Sequence, residues 1–408
     1  MSTASPASRS LSFHTRSSRW RGALAVLGEM RREPGVTRAV VAERLGLSSG
    51  SATEITARLR ELALLAETPA AASGRGRPTT VLGPHPDGPV VIAVDLRQED
   101  YRCAVATLDG RPEVLESAAH ADRSADHAVG AVARAVHRAC DRYGDRVRFV
   151  SVAVAATVRH GRVTQSAALG WDTVDLGALT PSPDVPLLVG NDATLSGVAE
   201  SRYGAAVGAA VALHVTIEVG VGGTLIVDGR PVEGMTGAGG EFGHLPFGDR
   251  ELRCPCGARG CWDLAVDGRA IARHLGAPPP RDPRTYAQAA LARAAEDPAV
   301  RSAVSRVAGD FAGGLAGLVN ALDPGVVTLG GLAGPLRAAA APRFAAALED
   351  GLMRFRRADP PPVVASALGE DGALHGAAAV ALDRFLTEEG LAAWASTRHA
   401  QAGGRAGG

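Results

Sequence analysis

One histidine and three cysteines, His244, Cys254, Cys256 and Cys261, stand close together in this chain. Three soft thiols and an imidazole suit a tetrahedral zinc ion coordinated wholly by protein, the signature of a structural site. Pro255, Gly257 and Gly260 lie between the thiols, where the backbone must turn tightly around a small ion. A disulfide or a cluster of free thiols is the competing reading. It is disfavoured because neighbouring Cys254 and Cys256 make poor disulfide partners and nothing marks the chain as secreted. The remaining cysteines, Cys103 and Cys140, sit in apolar or helical surroundings and read as buried hydrophobes. Glu241 precedes His244 by three residues, so one short turn can aim a carboxylate at a ligand while the imidazole holds the metal.

Two other stretches carry chemistry. Gly190-Asn191-Asp192-Ala193-Thr194 falls where a strand should give way to a helix. A carboxylate there can act as a base towards a hydroxyl, and Asn or Asp can equally cap the helix. Both roles can hold at once. Nearer the N-terminus, Ser73-Gly74-Arg75-Gly76-Arg77-Pro78 is an extended basic segment. Arg-Gly-Arg-Pro fits the narrow minor groove of A·T-rich DNA, where the negative potential is enhanced.

These residues need elements to position them. From Trp20, Ala23, Leu24, Leu27 and Met30 recur on one helical face, and Gly35 ends the pattern. Thr37 caps a second helix carrying Val40, Val41 and Leu45. After the turn Gly46-Leu47-Ser48, a third helix is expected from about Ser49 to Leu62, with Ile55, Leu59 and Leu62 inward. Ser49, Ser51, Thr53, Glu54 and Arg58 then face outward. Helix, glycine turn, helix with a small polar leading end is the helix-turn-helix pattern. An ordinary three-helix packing module is the plainer alternative. The Arg-Gly-Arg-Pro segment that follows reads as the wing of a winged-helix domain. Ser49, Ser51, Thr53, Arg58, Arg75 and Arg77 are the expected DNA contacts.

Gly83-Pro-His-Pro-Asp-Gly-Pro89 reads as a linker. Buried strands are expected at Val90–Leu96 and Arg102–Leu108, a helix at Ser124–Tyr143, further strands at Phe149–Ala155 and Pro186–Gly190, and a hairpin over Val211–Val227. This alternation is an α/β layer architecture. The predicted organisation is a disordered tail over 1–19, a winged helix-turn-helix domain over 20–82, a linker over 83–89, a two-lobed body over 90–386 and a disordered tail over 387–408.

Composition bounds the function. The chain has 408 residues and a net charge of zero, unevenly spread. Residues 1–80 hold 12 Arg against 6 Glu, and the remainder 31 Arg against 37 acids. A basic head on an acidic body points to a polyanion partner for the head. All 43 basic residues are Arg, which reads as a genome-composition bias. No signal peptide is evident. The most apolar stretch, Ala205–Gly223, contains His214, Glu218 and several glycines, which argues against a membrane span. A cytoplasmic location is expected.

Gly-Glu-Phe-Gly-His at 240–244 with Cys-x-Cys-Gly-x-x-Gly-Cys at 254–261 resembles the signature of the ROK family (repressors, open reading frames, kinases). The likeness extends through Asn191-Asp192-Ala193, Asn320-Ala-Leu-Asp-Pro324, Gly330-Gly331 and the segment 365–378, and at the N-terminus through Val36–Leu65 with Arg-Gly-Arg-Pro. It covers about residues 20–385. It implies two actin-like (ribonuclease H-like) lobes of the ATPase/sugar kinase fold with a sugar cleft between them. It further implies zinc on His244, Cys254, Cys256 and Cys261, and sugar contacts from Asn191, Asp192, Glu241 and His244. In the family's kinases the residue matching Asp192 is the base. A Glu normally follows the last Cys by two residues and touches the sugar; here that position is Asp263, one methylene shorter.

The phosphate loops separate regulator from kinase. A kinase of this family needs Asp-x-Gly-Gly-Thr after the first strand, because glycines let backbone N–H groups approach phosphates. Here the run is Asp95-Leu96-Arg97-Gln98-Glu99. The second loop, expected as Gly-Thr-Gly, reads Glu218-Val219-Gly220. Ala155-Ala156 stands where Pro-Gly is usual. Acids facing a polyphosphate cost affinity. The expected function is therefore a sugar-responsive, DNA-binding repressor with a vestigial kinase domain, acting as a homodimer or higher homo-oligomer. The alternatives are an active ATP-dependent sugar kinase carrying a DNA-binding domain, and a constitutive DNA-binding protein with no ligand.

Overall fold

The computed structural model describes residues 20–70, 80–166 and 169–405. The expected terminal tail over 1–19 and the residues Arg75 and Arg77 lie outside these.

Two five-stranded sheets dominate the body, and they share one strand order. The first runs Pro112–Ala119, Asp100–Ala106, Val90–Leu96, Val147–Val154, Leu187–Asn191. The second runs Arg230–Pro231, Val221–Val227, Val211–Ile217, Val326–Gly331, Val363–Ala365. In each, the first two pairings are antiparallel and the last two parallel. The strand Val90–Leu96 is buried along its whole length, as a strand covered on both faces must be. Its unbroken apolar run is the sequence mark of that position.

Helix Ala125–Tyr143 covers one face of the first sheet, setting Val129, Val132, Val136 and Cys140 against Ile92, Val94, Cys103 and Val152. Cys103 and Cys140 are indeed buried. Helix Gly372–Phe385 covers the other face. Helix Asp192–Tyr203 packs both on Gly372–Phe385 and on the hairpin strands of the second sheet, so it lies between the lobes. The long helix Pro298–Leu322 backs the second sheet through Phe311, Leu315 and Val319.

The N-terminal head contains helices over 20–32, Arg38–Arg44 and Ser49–Glu61, then antiparallel strands Leu65–Pro69 and Thr80–Pro84. Thr37 caps the second helix, its side chain accepting from the Val40 N–H. Ser48 caps the third in the same way through Ser51.

Two expectations about connections need correction. Residues 83–89 are not a free linker: Gly83 and Pro84 continue the strand Thr80–Pro84, and Arg146 donates to the carbonyls of Pro86 and Gly88. Most of the expected tail over 387–408 is not disordered either: a helix spans Glu388–Arg405, and 406–408 lie outside the described residues. Leu391 and Trp394 on that helix enter the same core as Leu27, Met30, Leu59 and Leu62 of the head. The indole N–H of Trp394 donates to the Leu62 carbonyl at 2.7 Å. Alanine-rich and carrying one tryptophan, the segment has little apolar surface of its own; docking supplies its stability.

Candidate functional site

The cleft between the lobes is where the chemistry-bearing residues converge. Strand Leu187–Asn191 ends at Asn191, whose side-chain oxygen accepts from the Thr194 N–H at 2.9 Å and so caps helix Asp192–Tyr203. Its amide donates to the Ala156 carbonyl at 3.2 Å and to Asp192 at 3.1 Å. Asp192 therefore starts the helix with its carboxylate in the cleft. Burial pushes its pKa up to about 6, against the pull of the Ala193 N–H; the carboxylates of Asp95 and Glu241 add to the rise.

Glu241 precedes a single 3-10 turn, Phe242–His244, and His244 is its last residue. Thr157, reaching from the other lobe, donates its hydroxyl to Glu241 at 2.6 Å. His244 Nε2 faces Glu241 at 3.9 Å while Nδ1 lies 3.5 Å from Asp263. Asp263 starts a short helix and takes the Val221 N–H at 2.7 Å. Its carboxyl also borders the cleft, and burial raises its pKa against the pull of the Val221 N–H, His244 and Arg269. Asn191, Asp192, Glu241, His244 and Asp263 thus all border one cavity.

Beside it, the ligand atoms of His244, Cys254, Cys256 and Cys261 lie within 4.8 Å of one another and could hold a metal ion. The Cys256 and Cys261 sulfurs are 3.6 Å apart, and Cys254 Sγ is 3.9 Å from His244 Nδ1. Tetrahedral Zn–S bonds of about 2.3 Å require sulfurs about 3.8 Å apart, so the residues fit. Gly257 and Gly260 adopt φ of +99° and +73°, the left-handed conformations that close the loop. Burial raises the Cys254 and Cys261 thiols; a bound cation reverses that preference.

The other end of the cleft is ionic. Arg97 grips Asp100 through two nitrogens, at 2.7 and 2.8 Å. Arg102 binds Asp95 at 2.8 Å and also Asp371. Arg284, from helix Pro283–Arg293, pairs with Glu218 at 2.5 Å and with Glu370 at 2.8 Å. Burial pushes Glu218 up to about 7, against the pull of Arg284. Arg97, Gln98, Glu99 and Glu218 all line this end. Sequence reasoning missed Thr157, Arg102 and Arg284. Each acts across a long separation in the chain, and nothing in the local pattern marked it.

In the head, Ser49, Ser51 and Thr53 are exposed on the leading turn of the third helix. Ala52, Thr56 and Leu59 are buried behind them. Arg58 is half-buried, its guanidinium 4.6 Å from the centre of the Trp20 ring. At the rear of the head, Arg31 donates to Asp383 and to the Tyr203 hydroxyl, each at 2.9 Å.

Two lobes of one strand order around a polar cleft define the sugar-kinase version of the actin-like fold, here with an added N-terminal head. The ROK family pattern matches residues 91–384, and the chain belongs to that family. It is similar to the glucokinase of Streptomyces coelicolor, 31% identical over 149 residues, covering 36% of this chain and 46% of that protein. It is also similar to the xylose repressor of Bacillus subtilis, 30% identical over 106 residues, covering 26% of this chain and 28% of the repressor. The chain thus spans less than half the length of these two relatives. A crystal structure of a ROK family transcriptional regulator, a homologue of the E. coli MLC protein, superposes with a TM-score of 0.70 at 21% identity. That likeness covers 93% of this chain and 99% of the other, and extends the shared fold to the head. Kinases and regulators both stand among the relatives. Among the described residues, no helix is long and apolar enough to cross a membrane.

Proposed function

We propose that this protein is a DNA-binding repressor of the ROK family that senses a sugar in the interlobe cleft and holds a structural zinc on His244, Cys254, Cys256 and Cys261. The observation that carries the reading is the head. Its third helix presents Ser49, Ser51 and Thr53 to solvent and buries its other side, as a recognition helix entering a major groove must. Arg75 and Arg77 complete the surface as minor-groove contacts. Arg58 contributes by fixing the helix on Trp20. The expected partner is a duplex operator met by a homodimer, in the cytoplasm.

The cleft supports sensing over catalysis. The end that would face nucleotide phosphates carries Glu218, Glu99 and Glu370, and its arginines are already paired. Asn191, Asp192, Glu241, His244 and Asp263 remain available to sugar hydroxyls. Helix Asp192–Tyr203 starts at this site and ends at the Tyr203 contact with Arg31 of the head. A sugar that prefers one lobe arrangement therefore has a route to the DNA-binding surface. The runner-up, an active kinase, draws on Asp192, whose elevated pKa suits a general base.

One experiment separates them: DNA affinity measured with and without candidate sugars, beside an ADP-release assay on the same panel. We expect an effective sugar to change DNA affinity by about 5- to 150-fold, Glu241→Ala to abolish that change, and no ATP turnover. Turnover lost in Asp192→Ala would establish the kinase instead; a panel without effect on either would leave a constitutive DNA-binding protein. A second expectation concerns the wing. Replacing both Arg75 and Arg77 with alanine should weaken operator binding and reduce the salt slope by about 2, because two fewer counterions are released. Unchanged binding at every salt concentration would contradict the wing assignment.

A further inference from the structure

The chain passes between the two large sheets twice. It leaves the first along helix Asp192–Tyr203 and reaches the second through 204–210. It returns from strand Val363–Ala365 through 366–371 to helix Gly372–Phe385, which covers the first sheet. Both crossings meet one side chain. Glu200, on the last turn of helix Asp192–Tyr203, is 0% exposed. Its Oε2 accepts the Ala205 N–H at 2.7 Å, from the first crossing. Its Oε1 accepts the Ser366 hydroxyl at 2.6 Å and the Leu368 N–H at 3.0 Å, from the second. Gly204 leaves room for this grip, since a methyl group there would lie 2.3 Å from Oε2.

The groups bonded to the Glu200 carboxylate are neutral donors. Burial would raise its pKa, but the hydrogen bonds from Ser366, Ala205 and Leu368 outweigh burial and hold the carboxyl below its ordinary value. His214, which interacts with it, is kept neutral by burial, its pKa lowered to about 4. A buried charge is costly unless it is hydrogen-bonded, and removing a donor from it costs more than the bond contributes when made. Neither crossing can therefore draw away from Glu200 without leaving a buried anion short of a donor. Because one anion holds both, a shift of one crossing is carried to the other.

The second crossing is also a wall of the cleft, where Gly369 and Glu370 border the cavity. Glu370 pairs with Arg284 at 2.8 Å, and its carbonyl accepts from Arg102 at 2.6 Å. Asp371 pairs with Arg102 as well. Helix Asp192–Tyr203 begins beside Asn191, at the other end of the same cavity, and its far end meets Arg31 of the head through Tyr203. Glu200 stands where these two structures join.

We propose that Glu200 is a positioning residue that locks the two interlobe crossings into one moving part, so that a shift of helix Asp192–Tyr203 repositions Glu370 and Asp371 against Arg284 and Arg102. Its use in signalling rests on the sugar-sensing reading above, whereas the lock itself is testable without a sugar.

The test is hydrogen exchange by mass spectrometry on the full-length protein without sugar, comparing wild type, Ser366→Ala and Glu200→Gln. Ser366→Ala removes one donor from the second crossing and leaves the Ala205 bond in place. A shared lock predicts that amides over 204–210 nonetheless exchange about threefold or more faster, together with those over 366–371. Faster exchange confined to 366–371 would overturn the inference and leave Glu200 a local structural acceptor. Glu200→Gln keeps one acceptor oxygen and turns an amide donor towards the other crossing, so both segments should loosen. If it does not fold, Ser366→Ala decides alone. The same Ser366→Ala protein is titrated with glucose, xylose and N-acetylglucosamine by calorimetry, and the effect of each on operator affinity is measured. Sugar affinity should stay within about threefold of wild type, while the sugar-induced change in operator affinity falls several-fold. A lower melting temperature with that change undiminished would also overturn the inference. If none of these sugars affects wild type, the sensor reading fails and the exchange result alone decides the lock.

Discussion

Replacing Trp394 with alanine is expected to destabilise the head by about 3–5 kcal/mol, the usual cost of deleting a buried large aromatic side chain. Trp394 is 1% exposed and shares a core with Leu27, Met30, Leu59 and Leu62. Its indole N–H satisfies the carbonyl of Leu62, the residue that caps the C-terminus of the third helix. The variant loses packing and leaves that carbonyl without its donor. Limited proteolysis should cut within residues 20–82 sooner than in wild type, and operator binding should fall while sugar binding persists. Trp394→Phe keeps most of the packing and removes only the hydrogen bond, so about 1 kcal/mol is expected. A Trp394→Ala protein with wild-type stability and DNA affinity would show that the terminal helix is not part of the head.

The second large effect is expected at the metal. Purified protein should contain one zinc per chain, and Cys261→Ser should abolish it. The loop is coupled to the core of the second lobe through the adjacent residue. Trp262 is fully buried, stacks on Phe311 at 5.6 Å and meets Phe247 edge-on at 5.9 Å. Metal binding at such sites is folding free energy, so a fall in melting temperature of more than about 5 °C is expected. His244 gives the loss a second readout. With Nδ1 towards the thiols, its Nε2 faces Glu241, and releasing the ring should weaken sugar binding too. Elemental analysis, thermal melting and calorimetry on one preparation measure all three. A folded, metal-free wild type would end this assignment.

The body was legible in the sequence because its elements announce themselves locally. The continuous apolar run Val90–Leu96, the Asn191-Asp192 junction and the glycine-spaced thiols each carry their structural reason within a few residues. Thr37 and Ser49 marked the helix starts of the head equally well. The terminal helix was not legible. Its stability comes from Leu391 and Trp394 meeting side chains more than 300 positions away, and its own composition resembles that of a tail. Residues 83–89 misled for a related reason: Pro and Gly do break regular structure, but Arg146 holds the resulting turn against the body. The ionic end of the cleft was half legible. Glu218 and Glu99 stood out against the expected loops, whereas Arg284 and Glu370 join them only through the fold.

Helix Asp192–Tyr203 also has a mechanical meaning. Twelve residues at about 1.5 Å each make a stiff lever about 18 Å long. Its first residue follows the Asn191 cap, beside the interlobe cleft. A tilt of about 10° there sweeps the far end through about 3 Å by simple geometry on that length. That is the whole length of the 2.9 Å bond from Arg31 to the Tyr203 hydroxyl. A rotation of that size at the Asn191 end is therefore enough to break the Arg31–Tyr203 bond, while Arg31 keeps its other partner, Asp383.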